Sequence, residues 1–242
     1  VTLIEKEAEL GGAFRWASVL FEKNQLFLDY LKARVTDLPV DVQLNTEANE
    51  TTLKELAPDA IILATGGRFE SPEIPGDQAA HVIRGKGVVE LVKRAGAKAD
   101  LEVGNKVAVI GANLIGIELA ETLAQSGRSV HLIEPSSRMA TPAGKKRRAD
   151  HCKKLDTLGV PVNTGVGVKE ITANGVTLEL AVGRTSEVLA DTVIVVGYPA
   201  ADSSLAEKVQ ALASEVHSIG DATGFGLSKK AVQEAMEIAY AL

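Results

Sequence analysis

The segment Lys106–Glu118, KVAVIGANLIGIE, constrains the fold more than any other part of the chain. An apolar run, a glycine turn and a helix-forming stretch describe a buried strand running into a helix N-terminus. That arrangement points backbone N–H groups and the positive end of the helix dipole at an anion such as a pyrophosphate. Gly111 permits the tight turn, and Gly116 lets helix and strand approach closely. Asn113 stands at the middle glycine position of GxGxxG; asparagine tolerates left-handed backbone but adds bulk where the diphosphate comes near. Glu134 ends the next strand, about 20 residues on, where a carboxylate binds both ribose hydroxyls and repels a 2′-phosphate. NAD(H) is therefore favoured over NADP(H). Arg138 and the run Lys145-Lys146-Arg147-Arg148 follow; they read as a solvated helix face or, alternatively, as an attraction for a 2′-phosphate.

Around this block, short β-branched runs alternate with helical stretches, the pattern of a mostly parallel sheet covered by helices. Strands are expected at Val1–Glu5, Ala60–Ala64, Lys106–Ile110, Ser129–Glu134, Thr192–Val196 and Val216–Ile219. Helices are expected at Asn24–Thr36, Leu114–Ser126, Lys145–Leu158 and Lys229–Leu242. Thr164–Thr172 and Gly175–Leu180 read as antiparallel strands, with Asn174-Gly175 as a tight turn between them. Punctuation by Gly66-Gly67, Pro72, Pro75 and Gly76, and again by Gly197-Tyr198-Pro199, sets the domain boundaries. The fold class is α/β with two Rossmann-like dinucleotide-binding domains. Residues 77–199 form one, inserted in a discontinuous second domain made of 1–76 and 200–242.

Composition narrows the function classes. With 26 Lys+Arg against 32 Asp+Glu the net charge is -6, which argues against gripping a nucleic-acid backbone. No apolar run reaches the roughly 18 residues needed to span a bilayer, so no membrane partner and a cytoplasmic location are expected. Cys152 is the one cysteine, which excludes an internal disulfide, a CxxC pair and a thiolate metal cage. His81, His131, His151 and His217 show no metal-ligand spacing, and no metal site is expected. Trp16, Phe21, Phe27 and Tyr30 are expected in the core, Trp16 with the alternative of lying near a flavin.

Two further constellations suggest a second nucleotide site. Glu5 closes an apolar strand and Gly11-Gly12 follow, an acid placed for an adenosine ribose and a pair of glycines that lets the chain pass close to a cofactor. The glycine loop expected about 20 residues before Glu5 would precede Val1, so the sequence reads as a fragment whose second domain lacks its first strand. Ile61–Gly67, IILATGG, runs a strand into a glycine turn through Thr65-Gly66. Near the end, Gly220-Asp221 precede a helix, where the aspartate either accepts a ribityl hydroxyl or caps the turn.

The ordered series IEKEAELGG, ILATGG…IPG, VIGANLIGIE, VGYP and IGDATG resembles the pyridine nucleotide-disulfide reductase superfamily of two-dinucleotide-domain flavoproteins. EKEAELGGAFRWAS and VHSIGDATGFGLSKKAVQEA resemble the C-terminal half of old-yellow-enzyme-type flavoproteins: 2,4-dienoyl-CoA reductase, enoate reductase, and trimethylamine and histamine dehydrogenases. The resemblance implies FAD at Glu5, Gly11, Gly12, Thr65, Gly66, Gly220 and Asp221, and NAD(H) at Gly111, Asn113, Gly116 and Glu134. In the reductases of this group hydride passes from NADH to FAD, then through an iron–sulfur cluster to FMN in an N-terminal barrel. That implies an NADH:flavin oxidoreductase whose FMN, 4Fe-4S cluster and barrel partner lie outside this chain; a single cysteine cannot hold such a cluster. By itself the fragment is expected to be inactive, and no general acid, base or nucleophile is assigned. The alternatives are a non-catalytic ADP-binding module, as in the amine dehydrogenases, and a stand-alone ferredoxin-reductase-type enzyme.

Overall fold

A computed structural model describes residues 1–97, 100–140 and 143–242. The chain divides into two compact units: Val1–Arg15, Lys23–Phe69 and Tyr198–Leu242 form the first, and Trp16–Glu22 with Glu70–Gly197 the second.

The second unit is built on a five-stranded parallel sheet. Its order is Val82–Arg84, Thr192–Val195, Lys106–Ile110, Ser129–Glu134 and Val162–Thr164. Lys106–Ile110 lies in the middle, with Val107 opposite Val130 on one side and Thr192 on the other. Both faces of the sheet are covered, which is why these strands are continuously apolar rather than alternating. Ala108, Ile110, Ile133, Val193 and Val195 pack with Ile171, Val176, Leu178 and Val188 of an antiparallel three-stranded sheet. Helix Leu114–Gln125 buries Ile117, Leu119, Ala120 and Leu123 completely. Ile117, Leu119 and Leu123 contribute roughly 1.5–3 kcal/mol of burial free energy each, which anchors this helix on the sheet. Helix Lys86–Gly96, absent from the sequence expectations, buries Val88, Leu91 and Val92.

The three-stranded sheet departs from expectation in its first strand, its turn and its third strand. Its strands are Gly167–Thr172, Gly175–Glu179 and Thr185–Leu189; Gly175 opens the second strand as expected, the turn is Ala173-Asn174 rather than Asn174-Gly175, and the third strand was not expected. A Cβ at Gly175 would lie 2.0 Å from the Val188 carbonyl oxygen, so close backbone approach is what requires glycine.

Besides the short pair Tyr198–Ala200 with Arg68–Glu70, the first unit has four parallel strands in two ladders. Thr2–Ile4 pairs with Asp41–Gln43, and Ala60–Leu63 pairs with Glu215–Ser218; among the described residues no hydrogen-bonded pairing joins the two. Leu53, Ile61, Leu63 and Val209 form the core, with Ile4, Leu205 and Val216 packed on it. Helix Glu50–Leu56 is started by a capping box: the Asn49 side chain accepts from Thr51 and Thr52 N–H, and Thr52 Oγ1 accepts from Asn49 N–H.

The aromatic residues after Gly11-Gly12 are not core residues. Phe27 is 39% and Tyr30 58% exposed, while Trp16 and Phe21 are half-buried. Gly12 starts a helix, Gly12–Leu20, that the sequence expectations did not include. Along it the chain passes from the first unit to the second, where the Trp16 ring lies 5.4 Å from the Lys93 ammonium. No helix is long and apolar enough to cross a membrane, and no group of three or more His, Cys, Asp or Glu side chains is placed to hold a metal, among the described residues.

Candidate functional site

In the second unit the chain leaves Lys106–Ile110 through Gly111, whose φ of +104° is strained for any residue with a Cβ. A Cβ at Gly116 would stand 1.9 Å from the Gly111 carbonyl oxygen, so turn and helix are in backbone contact there. Asn113 is the N-cap of helix Leu114–Gln125. Its Oδ1 accepts from Gly116 N–H at 3.0 Å and its Nδ2 donates to Gly197 O at 2.9 Å. The side chain is 4% exposed and φ is -71°, so its bulk is turned inward and no left-handed backbone is needed. Asparagine thus acts here as a buried cap rather than as a tolerant substitute for glycine.

Glu134 closes the site at the end of the neighbouring strand. Its Oε2 accepts from Ala112 N–H at 2.6 Å, inside the glycine turn, and its Oε1 accepts from Ser136 N–H at 2.8 Å. Each carboxylate oxygen keeps a second lone pair, so two hydroxyls can still be received. Gly111, Asn113, Gly116 and Glu134 are therefore brought together in one cradle. It combines a helix N-terminus for phosphate with a carboxylate for vicinal hydroxyls.

The basic run beyond Glu134 is largely committed elsewhere. Arg147 pairs with Glu118 at 2.5 Å, Lys154 pairs with Glu121 at 2.8 Å, and Arg148 donates to Ala143 O. Lys145 and Lys146 are exposed. Between the two glutamates lies His151, only 3% exposed, with Nδ1 2.7 Å from Glu121 and Nε2 3.5 Å from Glu118. Burial alone would lower its pKa, but hydrogen bonds and negative charge from Glu118 and Glu121 override that and push it up to about 9. Glu121 is held below the usual carboxylate range: its burial works upward, and the His151 and Lys154 partners outweigh it. The Phe21 ring covers this cluster, 4.3 Å from the Arg147 guanidinium.

In the first unit the expected residues lie at the carboxyl ends of parallel strands, the edge where open α/β sheets bind ligands. Glu5 follows Thr2–Ile4 and accepts from Glu7 N–H at 2.9 Å. Thr65 and Gly66 follow Ala60–Leu63, Gly66 with φ +76°; Gly220 and Asp221 follow Glu215–Ser218, Gly220 with φ +67°. A Cβ at Gly67 would lie 2.9 Å from the Asp221 carbonyl oxygen, so the two glycine turns touch. Gly11 and Gly12 have φ of +122° and +47° and lead directly into a helix. Asp221 Oδ1 accepts from Gly226 N–H at 3.0 Å. These groups suit the hydroxyls of a ribose or ribityl chain. Among the described residues this unit has no strand–glycine turn–helix cradle like that at Gly111. Sequence reasoning missed Lys230 and Glu234, whose contacts with the Gly220 turn arise only in the folded chain.

A strand–glycine turn–helix with an acid at the end of the neighbouring strand is the Rossmann-like arrangement of dinucleotide-binding α/β folds. The chain belongs to the pyridine nucleotide-disulphide oxidoreductase family, whose model matches residues 8–235. It is 29% identical over 243 residues to an NADH oxidase of Thermoanaerobacter brockii, covering 99% of this chain and 37% of that protein. A bilirubin reductase of Mediterraneibacter gnavus is 34% identical over 188 residues, 77% of this chain and 28% of its own length. Among solved structures, a 2-naphthoyl-CoA reductase complex superposes with TM-score 0.89 at 29% identity, covering all of this chain and 36% of that one. Histamine dehydrogenase from Rhizobium sp. 4-9 shares the fold, with TM-score 0.85 at 21% identity over all of this chain and 40% of its own. The chain thus spans about a third of the length of the curated relatives it matches. The family, and the relatives named, are oxidoreductases.

Proposed function

We propose that this chain is the NADH-oxidising, FAD-binding part of an old-yellow-enzyme-type reductase. The Glu134 carboxylate seated on the Ala112 N–H of the glycine turn carries the reading. It sets a ribose-binding acid against a phosphate-binding helix end, and its charge opposes a 2′-phosphate. Residues 77–199 take NADH in this reading, and 1–76 with 200–242 take FAD. The Gly111 turn and the N-terminus of helix Leu114–Gln125 bind the diphosphate, and Glu134 orients the adenosine ribose. Glu5, Thr65, Gly66 and Asp221 receive hydroxyls of the second cofactor. With both bound, the cofactors supply hydride transfer; the protein contributes alignment and exclusion of water rather than an acid or base. A barrel partner holding FMN and a 4Fe-4S cluster would take the electrons onward to an enoyl or dienoyl substrate. The NADH oxidase, cinnamate reductase and 2-naphthoyl-CoA reductase relatives support the cofactors and the substrate class, and the length of those proteins supports the partner domain.

A second reading keeps only ADP in the second unit. It is favoured by the first unit's two unjoined parallel ladders and by the lack of a Gly111-like cradle among its described residues. The visible spectrum of the purified protein, followed by NADH titration with a dye acceptor, separates the two. A yellow protein bleached by NADH supports the reductase. A colourless one that binds ADP alone supports the module.

A further inference from the structure

The turn that carries Asp221 is held by two side chains outside it, Lys230 and Glu234. Lys230, in the first turn of helix Ser228–Ala241, directs its ammonium at Gly220 O (2.7 Å), Gly224 O (2.6 Å) and Thr223 Oγ1 (2.8 Å). Three donors thus meet three acceptors, all from one five-residue segment. Glu234, one helical turn further on, accepts from Gly220 N–H at 2.7 Å and lies 3.6 Å from the same ammonium. Both backbone polar groups of Gly220 are therefore held by this one helix. The carbonyl oxygens of Asp221 and Ala222 are taken by Gly224 N–H and Asp202 N–H. With Gly220 and Gly224 included, four carbonyl oxygens of the turn are turned toward protein donors, two of them toward a cation.

Carbonyl oxygens repel an electron-rich ligand, and a flexible turn with Gly220 at φ +67° and Gly224 at φ +119° has many ways to present them. A lysine that gathers them on one side fixes the turn in a single conformation and leaves Asp221 as its outward acceptor. Charge-assisted hydrogen bonds are roughly twice as strong as neutral ones, and three of them converging on one turn favour a single conformation.

We infer that Lys230 is a positioning residue for the second cofactor site: it clamps the Gly220–Gly224 turn so that Asp221 faces a hydroxyl-bearing cofactor chain. This deepens the assignment of FAD to this strand end and rests on it. Glu234 completes the clamp by holding the Gly220 N–H. Neither residue touches the cofactor in this arrangement; both act through the turn.

The test compares the chain with K230M, K230R and E234Q by amide hydrogen exchange without ligand and by FAD titration. NADH titration serves as the control for the Gly111 cradle. K230M should speed exchange of the Gly224 and Gly226 amides at least about tenfold while leaving helix Leu114–Gln125 unchanged. It should weaken FAD binding about tenfold, keep NADH binding, and be rescued by K230R. E234Q should speed exchange at Gly220 alone. Wild-type exchange at Gly224 and Gly226 in K230M, with unchanged FAD affinity, overturns the inference. If the wild-type chain takes no FAD, the functional reading fails, and the exchange arm still decides whether Lys230 holds the turn.

Discussion

Gly116 and His151 show how single positions carry this structure. At Gly116 even a methyl group meets the Gly111 carbonyl oxygen at 1.9 Å, and both partners are backbone. Gly116→Ala is therefore expected to destabilise the protein by about 1–3 kcal/mol in urea titration and to weaken NADH binding, because the turn must move off the helix. His151 sets a pH dependence. Its pKa of about 9 lies above the value near 6.5 expected in the unfolded chain. The protonated histidine thus stabilises the fold fully below about pH 6.5, and that contribution fades as pH rises through about 9. The charges facing it are Glu118, Glu121, Arg147 and Lys154. Stability should fall by on the order of 3 kcal/mol across that window in wild type. In His151→Leu the slope should flatten; an unchanged slope would refute this role for the histidine. Neither the cluster nor the Lys230 clamp was legible in the sequence. His151 lies 30 residues from Glu121, and only the packing of helix Lys145–Thr157 on helix Leu114–Gln125 brings them together.

Among elements, legibility followed burial. Lys106–Ile110 is buried from Val107 to Ile110, and Ser129–Glu134 buries Val130, Leu132 and Ile133, so their apolar residues announced both strands to the residue. Strands of three residues, such as Asp41–Gln43 and Val82–Arg84, bury too little to leave a pattern. Helix Lys86–Gly96 carried its apolar stripe at Val88, Leu91 and Val92, but the surrounding glycines masked it. Helix Ser228–Ala241 is the opposite case: it was read correctly to within a residue although none of its side chains is buried. Its stability rests on the Lys230 and Glu234 contacts and local pairs. Amides in Ser228–Ala241 should therefore exchange faster than those in Leu114–Gln125, by at least about a hundredfold, in native-state hydrogen exchange. Equal protection would mean that the helix draws its stability from packing not seen here.

For the molecule as a whole, the two units differ in how much they bury. Among the described residues the completely buried Leu and Ile side chains, Ile110, Ile117, Leu119, Leu132 and Ile194 among them, lie in the second unit. In the first, Val1, Leu26, Ile62, Met236 and Tyr240 are exposed apolar residues. Charge and glycine spacing were enough to point to the class of protein and to the Gly111 cradle. They were not enough for the inward turn of Asn113, because an N-cap depends on where Gly197 comes to lie. The central claim is that this cradle receives the adenosine diphosphate of NADH with Glu134 on its ribose. Amide NMR during NADH and NADPH titrations of wild type and Glu134→Ala tests it most directly. Binding of NADH should move the Gly111, Ala112 and Gly116 resonances, with affinity at least about tenfold above NADPH and the preference lost in the variant. Resonances that stay still, or equal affinity for both nucleotides in wild type, would contradict it.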